Sequence, residues 1–573
     1  MNSQHSNCRF WTMAISFLSF MLVCETGVFG ESPTPDSMTK VGQIGPRLEN
    51  VAGEEYAHVL YVSSTAGSDD SEGSATQPLK TLETALAKIG DASPTNRVAV
   101  FVSEGRYRVI RLGMKSYVDL YGSFAADHWE QRDLYQNSSV LDATGDGPVV
   151  IGADRSRLDG FQVTGGKHDG SGGAIICNGV ASVISNNFIT GNCTIHSPSV
   201  ELETLHTVGH EGGAIAVLGG STARIENNLI YDNRTDVGDG GGIAVRGRSK
   251  PKISRNVIVG NLTGLTDTTM YDGKVGSRSS NGAGISVSDS CAPEIIANII
   301  VLNKSLNTSD GGGIYVEFEA TPHIQGNWLV GNTTSDDGGA IYVRGLPDNT
   351  SPKGNGPLIE GNIFAGNRVY HIGRKRDDFD EAIFLSKGGR ATILGNLFTG
   401  QRSAVGNSSS VMTLTHNTIV NNSGDGVYVD LRVENVPLST VTGNIIWGNG
   451  GKQYTIRRTR SPVPKVVDNV IQGGYEGEGN RDEEPQFLAD RLESTILERT
   501  IDVFRCQTTM KVADGLPEKS LAGRPIKVGR QWSVIHSSGG NQLSVWGEIS
   551  DLSNQLFIPS TFAPGSSAIT VSK

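Results

Sequence analysis

Residues 312–332 read GGIYVEFEATPHIQGNWLVGN and contain both halves of a phrase that recurs along the chain. The first half is a Gly-Gly pair before a short β-branched run, here centred on Ile314. The second half is an asparagine, here Asn327, with a second asparagine five positions later. Short β-branched segments bounded by glycine and asparagine are typical of strands rather than helices.

The asparagine half of the phrase occurs ten times, at steps of 21 to 42 residues. Its first asparagines are Asn187, Asn228, Asn256, Asn298, Asn327, Asn362, Asn396, Asn417, Asn444 and Asn469. The residue three positions before each of them and the residue two positions after it are apolar in all ten copies. A chain that is 37% hydrophobic does not produce this agreement by chance. The two positions are therefore predicted to form inward-facing columns.

The glycine half of the phrase precedes most copies of the asparagine half. Its central residues are Ile175, Ile215, Ile243, Ile285, Ile314 and Ile341, with weaker versions at Ile383 and Val427. The shortest step, 21 residues with two or three short strands, is about one turn of a parallel β-helix, in which like residues stack at ~4.8 Å. The sequence thus predicts an all-β fold, a single-stranded parallel β-helix of about a dozen coils over residues 58–488.

Asparagines at the turns of such coils would stack into ladders, because asparagine tolerates left-handed backbone and bonds its neighbours. Five of them also begin N-x-S/T triplets, for example Asn233-Arg234-Thr235 and Asn261-Leu262-Thr263. These triplets leave glycosylation open as an alternative. The ladder explains the positions better.

Composition narrows the class of protein. The 573 residues include 49 Lys+Arg and 60 Asp+Glu, a net charge of -11, which disfavours nucleic-acid binding. Glycine is abundant at 73 residues, as many tight turns require. Beyond residue 30 the cysteines are Cys177, Cys193, Cys291 and Cys506, with no C-x-x-C pair. They predict neither a disulfide framework nor a thiolate metal site.

Residues 1–30 have the pattern of an export signal, with Arg9 before an apolar run and small residues ahead of Glu31. A membrane anchor and lipidation of Cys24 are the alternatives. We therefore expect a secreted or cell-surface protein, not integral to a membrane once the signal is removed. Residues 31–57 are expected to form a flexible mature N-terminus.

The combination of GGAI with I-x-x-N or F-x-x-N resembles the repeats of polymorphic outer membrane proteins. More broadly it resembles secreted right-handed parallel β-helix proteins with the pectin-lyase fold. The opening Tyr61-Val62-Ser63 with Gly67, Gly73 and Thr81 is similar to that family as well. The resemblance implies a right-handed helix, an N-terminal helical cap near residues 79–89 and C-terminal capping strands over residues 489–573.

Strand alternation predicts which side chains point outward from the Gly-Gly strands. The position after the central residue holds Tyr315, Tyr342, Phe384 and Tyr428, interpreted as lying on successive coils. Exposed rings at such a spacing would form a platform on which sugars stack. Cross-coil aromatic packing beneath a loop is the alternative.

Two arginines, Arg246 and Arg344, fall in the same outward column as Glu317. Cations beside aromatic rings suit an acidic polysaccharide, whereas a solvated charged face is the simpler interpretation. Long steps place insertions at 193–211, 262–283 and 368–380 on one side of these strands, and at 346–357 on the other. The insertions could flank the platform as a groove, and the first and third carry His210 and His371.

Acidic residues recur four positions before the central residue, at Asp239, Asp310 and Asp337. Stacked carboxylates repel unless they are solvated or share a cation, and Ca²⁺ prefers such oxygen ligands. These three are the candidate metal ligands, and Asp336 could join them. The alternative is ordinary Asp-Gly turn chemistry.

Two functions remain open. The first is an exported, non-catalytic, adhesin-like monomer that binds polysaccharide or a cell-surface glycan along one face. The second is a polysaccharide lyase or glycoside hydrolase acting on an acidic polysaccharide. No local signature of either enzyme class occurs, so no catalytic residue is assigned from the sequence. That absence and the repeat resemblance favour the first.

Overall fold

The computed structural model describes residues 44–49, 51–126, 128–195, 210–264, 280–307, 309–317, 319–345, 355–370, 380–485 and 491–559. From residue 58 to residue 471 the chain winds through coils whose strands pair in parallel with the equivalent strands of neighbouring coils. The coils wind as a right-handed β-helix, so the predicted fold class is confirmed.

Four parallel sheets run along this solenoid, numbered here in the order in which a coil visits them. Sheet 1, which contains the Gly-Gly strands, consists of Leu112–Gly113, Val150–Ile151, Ile175–Asn178, Ile215–Leu218, Ile243–Val245, Ile285–Val287, Ile314–Val316, Ile341–Arg344, Glu381–Ser386, Ser403–Ser408, Val427–Leu431 and Tyr454–Thr459. Sheet 2, which precedes the first asparagine, consists of His58–Val62, Val98–Ser103, Val118–Phe124, Arg157–Asp159, Val183–Ser185, Arg224–Glu226, Lys252–Ser254, Glu294–Ile296, His323–Gln325, Leu358–Glu360, Arg390–Leu394, Val411–Thr415, Thr440–Thr442 and Lys465–Val467.

Sheets 3 and 4 follow the first and second asparagines of each coil. Sheet 3 consists of Gly105–Arg108, Ser139–Asp142, Phe161–Thr164, Phe188–Thr190, Leu229–Tyr231, Val257–Val259, Ile299–Val301, Trp328–Val330, Ile363–Ala365, Leu397–Thr399, Thr418–Val420, Ile445–Trp447 and Val470–Ile471. Sheet 4 consists of the two-residue strands Lys167–His168, Cys193–Thr194, Arg234–Thr235, Leu262–Thr263, Lys304–Ser305, Thr333–Thr334 and Arg368–Val369.

The apolar columns form the core as the repeat predicts. Ile225, Ile253 and Ile295 are direct cross-strand partners on neighbouring coils, and all three are fully buried. The first asparagines form a ladder, in which Asn256 Nδ2 donates to Asn298 Oδ1 at 3.0 Å. The second asparagines form another, with Asn233 Nδ2 donating to Asn261 Oδ1 at 3.1 Å. Because Asn233 and Asn261 are fully buried in this ladder, the glycosylation alternative fails for both.

An α-helix, Leu82–Lys88, lies within the predicted segment 79–89, and a short 3-10 helix spans Gly53–Glu55. Thr81 caps the α-helix by accepting from the backbone N–H of Thr84. Leu82, Ala85 and Leu86 pack into the solenoid core. No helix within the described ranges is long and apolar enough to cross a membrane.

The segment expected to hold capping strands forms a closed antiparallel barrel in its described part. The barrel runs in the order Leu492–Asp502, Gln507–Val512, Gln542–Trp546, Gln531–Gly539, Pro525–Val528 and Gln555–Ile558. Its Trp532 and Trp546 pack on the outer face of sheet 3. Ile44, from the segment expected to be flexible, is buried in the same cluster. The barrel therefore packs against the side of the solenoid.

Candidate functional site

The outer face of sheet 1 brings together most of the predicted site residues, but not as an exposed platform. Tyr315, Tyr342, Phe384 and Tyr428 form one cluster, separate from the solenoid core, with exposures of 0%, 3%, 4% and 0%. The rings of Tyr315 and Tyr342 stack with centroids 5.6 Å apart and planes 10° apart. The prediction of exposed rings is therefore wrong. Their burial agrees with the alternative of cross-coil packing.

The aromatic column also has a gap that the sequence interpretation missed. Phe384 pairs with Gly406, and Gly406 pairs with Tyr428, so one coil without a ring separates the two aromatics. The rings of Phe384 and Tyr428 still lie 6.5 Å apart between centroids. The gap was detectable, because each pair of successive first asparagines must enclose one strand of sheet 1, and Ser403–Ser408 lies between Asn396 and Asn417.

Three side chains from two adjacent coils form the central contact of the site. Tyr315 donates its hydroxyl to Glu317 Oε2 at 2.8 Å. Arg344 Nη1 lies 3.4 Å from the Tyr315 hydroxyl oxygen and 3.9 Å from Glu317 Oε2. Alternation along the strand places Tyr315 and Glu317 on the same face, and the parallel register stacks Arg344 beside them.

Glu317 has an altered acidity because of where it lies. It is 5% exposed. Burial, and then the negative charge of Asp239, raise the pKa of Glu317 from 4.5 to about 7. The hydrogen bond from Tyr315 acts in the opposite direction but does not offset the burial. A carboxyl group with this pKa exists in both protonation states near neutral pH.

Arg246 belongs to a second group rather than to the aromatic rings. Its Nη2 lies 3.1 Å from Asp239 Oδ2, its Nη1 lies 3.7 Å from Asp289 Oδ2, and its Nε contacts Glu211. Burial raises the pKa of Glu211 to about 8 against the opposing attraction of Arg246. The positive charge of Arg246 is therefore balanced inside the protein.

A third group lies at the other end of the aromatic cluster. Tyr428 donates its hydroxyl to Glu381 Oε1, and Arg457 lies over the Tyr428 ring with Cζ 3.9 Å from its centroid. Glu381 is fully buried, and burial followed by the charge of Asp337 holds its pKa well above the usual range. Glu381 is not part of any motif in the sequence. Its position two residues before a central isoleucine was the only available signal.

The acidic column behaves as turn chemistry along most of its length. Asp239 Oδ1 accepts from the backbone N–H of Asn281 at 2.6 Å, and Asn281 Oδ1 accepts from that of Asp310 at 2.9 Å. Asp310 Oδ1 accepts from the backbone N–H of Asp337 at 3.2 Å. Each side chain thus holds the turn of the next coil.

The predicted metal ligands do not converge as a set of three. Asp310, Asp336 and Asp337 each offer an oxygen within 4.8 Å of the others, whereas Asp239 lies two coils away and binds Arg246. Burial and the charges of Asp337 and Asp336 raise the pKa of Asp310 well above its usual value. The trio has the oxygen chemistry that Ca²⁺ prefers. The ligand set including Asp239 is wrong.

The strands that flank the four insertions are described, and they show which sheets each insertion connects. The first three connect sheet 4 to sheet 1, and the fourth connects sheet 1 to sheet 2. Residues 196–209, 265–279, 346–354 and 371–379, and with them His371, lie outside the described residues. His210 is described, and its Nδ1 lies 2.9 Å from the carbonyl oxygen of Ile195.

Comparison with known proteins supports the fold. A family model described as a right-handed beta helix region matches residues 128–355. No curated protein sequence matches the chain. Solved structures that resemble it include the A-module of a mannuronan C-5 epimerase from Azotobacter vinelandii, with 14% identity, a TM-score of 0.42, and coverage of 70% of this chain and 95% of that module.

Two further solved structures have lower scores. A lacto-N-biosidase from Eubacterium ramulus has 11% identity and a TM-score of 0.29, covering 71% of this chain and 68% of that one. An alginate lyase from a Paenibacillus species has 12% identity and a TM-score of 0.27, covering 71% of this chain and 99% of that one.

Proposed function

We propose that this protein acts on an acidic polysaccharide at the outer face of sheet 1 and cleaves it by proton transfer through Glu317. The observation that carries the proposal is the contact among Glu317, Tyr315 and Arg344. Strongly shifted carboxyl groups that cluster on one face are candidates for acid–base chemistry.

The acidity of Glu317 suits it to exchange a proton. General acid–base catalysis is most effective when the pKa of the group lies near the working pH. Burial and Asp239 give Glu317 a pKa of about 7. The Tyr315 hydroxyl donates to Glu317 at 2.8 Å and so holds the carboxyl group in place beside Arg344.

Arg344 is the member of the contact that a substrate could reach first. Its side chain is 24% exposed, compared with 6% for the Glu317 side chain. A guanidinium binds a carboxylate through two parallel hydrogen bonds, which favours a uronate over a neutral sugar. Neutralising the uronate carboxylate would assist proton abstraction beside it in a lyase, and the same contact would orient the sugar in a hydrolase.

The second candidate is the non-catalytic, adhesin-like glycan binder at the cell surface. One observation favours it: Tyr315 and Glu317 are closed off by each other and by their neighbours, with 0% and 5% exposure. A protein that only binds glycans needs no access to these groups. Secretion or surface location remains a prediction for both candidates.

Turnover on a panel of polymers separates the two candidates. The purified protein is incubated with uronate and neutral polysaccharides, with and without Ca²⁺, and new reducing ends and unsaturated, ultraviolet-absorbing ends are measured. We expect uronate polymers to be cleaved and Glu317→Gln to slow cleavage by roughly a hundredfold or more.

The matched control is Glu226→Gln. Glu226 is also buried and also pairs with an arginine, Arg224 at 2.8 Å, but it lies on sheet 2. The control should retain activity. Binding without new chain ends on any polymer would replace the enzyme proposal with the adhesin-like one.

A further inference from the structure

Sheet 4 carries a basic side chain on every second strand. From the second strand onward, the second residue of each two-residue strand is buried, so the first residue points away from the solenoid interior. That outward position holds, in strand order, Lys167, Cys193, Arg234, Leu262, Lys304, Thr333 and Arg368. The four cations, named here the basic row, occupy the first, third, fifth and seventh strands.

The register fixes the spacing of the basic row. Arg234 pairs with Leu262, which pairs with Lys304, and Lys304 pairs through Thr333 with Arg368. Neighbouring strands lie about 4.8 Å apart, so successive cations are separated by roughly 9–10 Å. The row therefore presents one positive charge per two coils, parallel to the solenoid axis.

Within the described ranges the basic row makes no close ion pair, although Arg234 attracts the nearby carboxylate of Asp232. Among the described residues, none of its four cations has a carboxylate within 4.0 Å. Lys304 instead lies 5.0 Å from the centroid of the Tyr370 ring. By contrast, Arg224 and Lys252 on sheet 2 each contact a glutamate, at 2.8 and 3.4 Å. Unpaired cations in a chain of net charge -11 mark a surface suited to an anion.

The last part of the basic row enters a cleft between the solenoid and the barrel. The cleft has a volume of about 520 Å³, and its lining includes Lys304 and Arg368 on one wall and Arg530 and Trp532 on the other. Its acidic lining residues are Asp232, Asp502 and Glu548. Arg505 lies 3.9 Å from Asp502 and reduces the negative charge. The barrel thus adds a third cation, Arg530, to the two that the basic row places in the cleft.

We propose that the basic row binds a linear acidic polysaccharide that carries one carboxylate per disaccharide and runs along the solenoid axis. Two sugars of an extended chain are about as long as two coils, so alternate sugars would meet successive cations. This surface is separate from the site on sheet 1, and the proposal uses no step of the chemistry proposed there.

A nucleic acid fits the basic row less well. Its phosphates follow each other at about 3.4 Å per strand along a duplex, which is far denser than the row. The net charge of -11 also repels a strongly charged polyanion as a whole. A sparsely charged polysaccharide avoids most of this repulsion.

The test measures affinity for hyaluronan, which has one carboxylate per disaccharide, beside polygalacturonate, dextran and single-stranded DNA. The variant is Lys304→Ala/Arg368→Ala in the full chain. We expect it to bind hyaluronan roughly ten- to a hundredfold more weakly than the wild type. Added salt should weaken the binding of the wild type more than that of the variant, because the lost contacts are ionic.

The matched control is Arg224→Ala/Lys252→Ala, which removes two cations from sheet 2. It should bind hyaluronan as the wild type does, and both variants should melt as cooperatively as the wild type. The proposal would be overturned if the wild type did not bind hyaluronan, or if both variants lost the same amount of hyaluronan affinity. Tighter binding of polygalacturonate or DNA than of hyaluronan would also overturn it. If Lys304→Ala/Arg368→Ala loses hyaluronan binding but still cleaves polymer at saturating substrate, the site on sheet 1 is intact. The failure of one proposal can therefore be distinguished from the failure of the other.

Discussion

Tyr428 donates its hydroxyl to Glu381 although a whole coil lies between their strands. The intervening strand passes beneath the bond at Gly406, and a Cβ there would lie 2.6 Å from the Tyr428 hydroxyl oxygen and 2.7 Å from Glu381 Cγ. The hydrogen bond therefore depends on Gly406 having no side chain. This contact keeps a fully buried carboxyl group next to a hydroxyl donor.

Gly406→Ala should destabilise the protein by about 1–3 kcal/mol, because the new methyl group must displace Tyr428 or Glu381 in a packed site. Gly406 does not have a positive φ, so alanine adds no backbone strain. The matched control is Gly113→Ala, also in sheet 1, where a Cβ would meet nothing within 4 Å. Urea unfolding of both variants checks the prediction. Equal effects at the two positions would contradict it.

Tyr315→Ala/Tyr342→Ala should lower the free energy of unfolding by several kcal/mol, because both rings are buried and stacked. Thermal melting of this variant decides between a structural role and an exposed sugar platform. An unchanged melting temperature together with weaker glycan binding would restore the platform interpretation. Tyr315→Phe keeps the ring and removes only the hydroxyl contacts with Glu317 and Arg344, so it should cost much less.

Asn298→Ala should destabilise the solenoid by several kcal/mol. Asn298 Nδ2 donates to Ile253 O and to Asn327 Oδ1, both at 2.9 Å, and Asn298 Oδ1 accepts from Asn256. Removing the amide leaves buried partners unsatisfied, at about 1–3 kcal/mol each. Asn554→Ala, on an exposed residue of the barrel, is the control. A loss at Asn298 no larger than that at Asn554 would show that the ladder contributes little to stability.

The core of the fold was predictable because it is periodic. A column of ten apolar residues fixes which side chains face inward, and Ile225, Ile253 and Ile295 stack accordingly. The outward columns were also placed correctly along the strand, so Tyr315, Glu317 and Arg344 could be assigned to one face from the sequence.

What could not be predicted was how that outer face packs. Side chains that point away from the solenoid core were expected to be exposed. Tyr315 and Tyr428 are instead fully buried in a second cluster. Only the asparagine spacing marks the coil that contains Gly406, because its strand lacks both the Gly-Gly pair and the central isoleucine. Contacts such as the one between Tyr428 and Glu381 pass over one intervening coil, and no repeat pattern encodes them.

The stability of the protein should fall as the pH rises from about 4.5 to about 8. Glu317 and Glu211 have pKa values of about 7 and about 8 in the folded protein, raised first of all by burial from 4.5. In this window the folded state holds protons that the unfolded chain has released, so raising the pH favours unfolding. Melting temperatures of Glu211→Gln/Glu317→Gln across the window should show a flatter slope than those of the wild type. A slope of the opposite sign, or one that the substitutions leave unchanged, would contradict the assigned acidities.

Trp532→Ala should release the barrel from the solenoid without unfolding either. The Trp532 ring packs against the glycines that directly follow two sheet-3 strands, because a Cβ at Gly366 or Gly400 would come within 2.1 or 2.4 Å of ring atoms. The barrel has a core of its own that includes Met510 and Val545 but not Trp532, so its folding does not depend on this ring. Hydrogen exchange should rise in sheet 3 around Val330 and Ala365, while the barrel strands stay protected. Leu552→Ala is the control, because Leu552 is 90% exposed. It should change hydrogen exchange neither in sheet 3 nor in the barrel strands. Loss of protection throughout the barrel strands would mean that docking and barrel folding are one event.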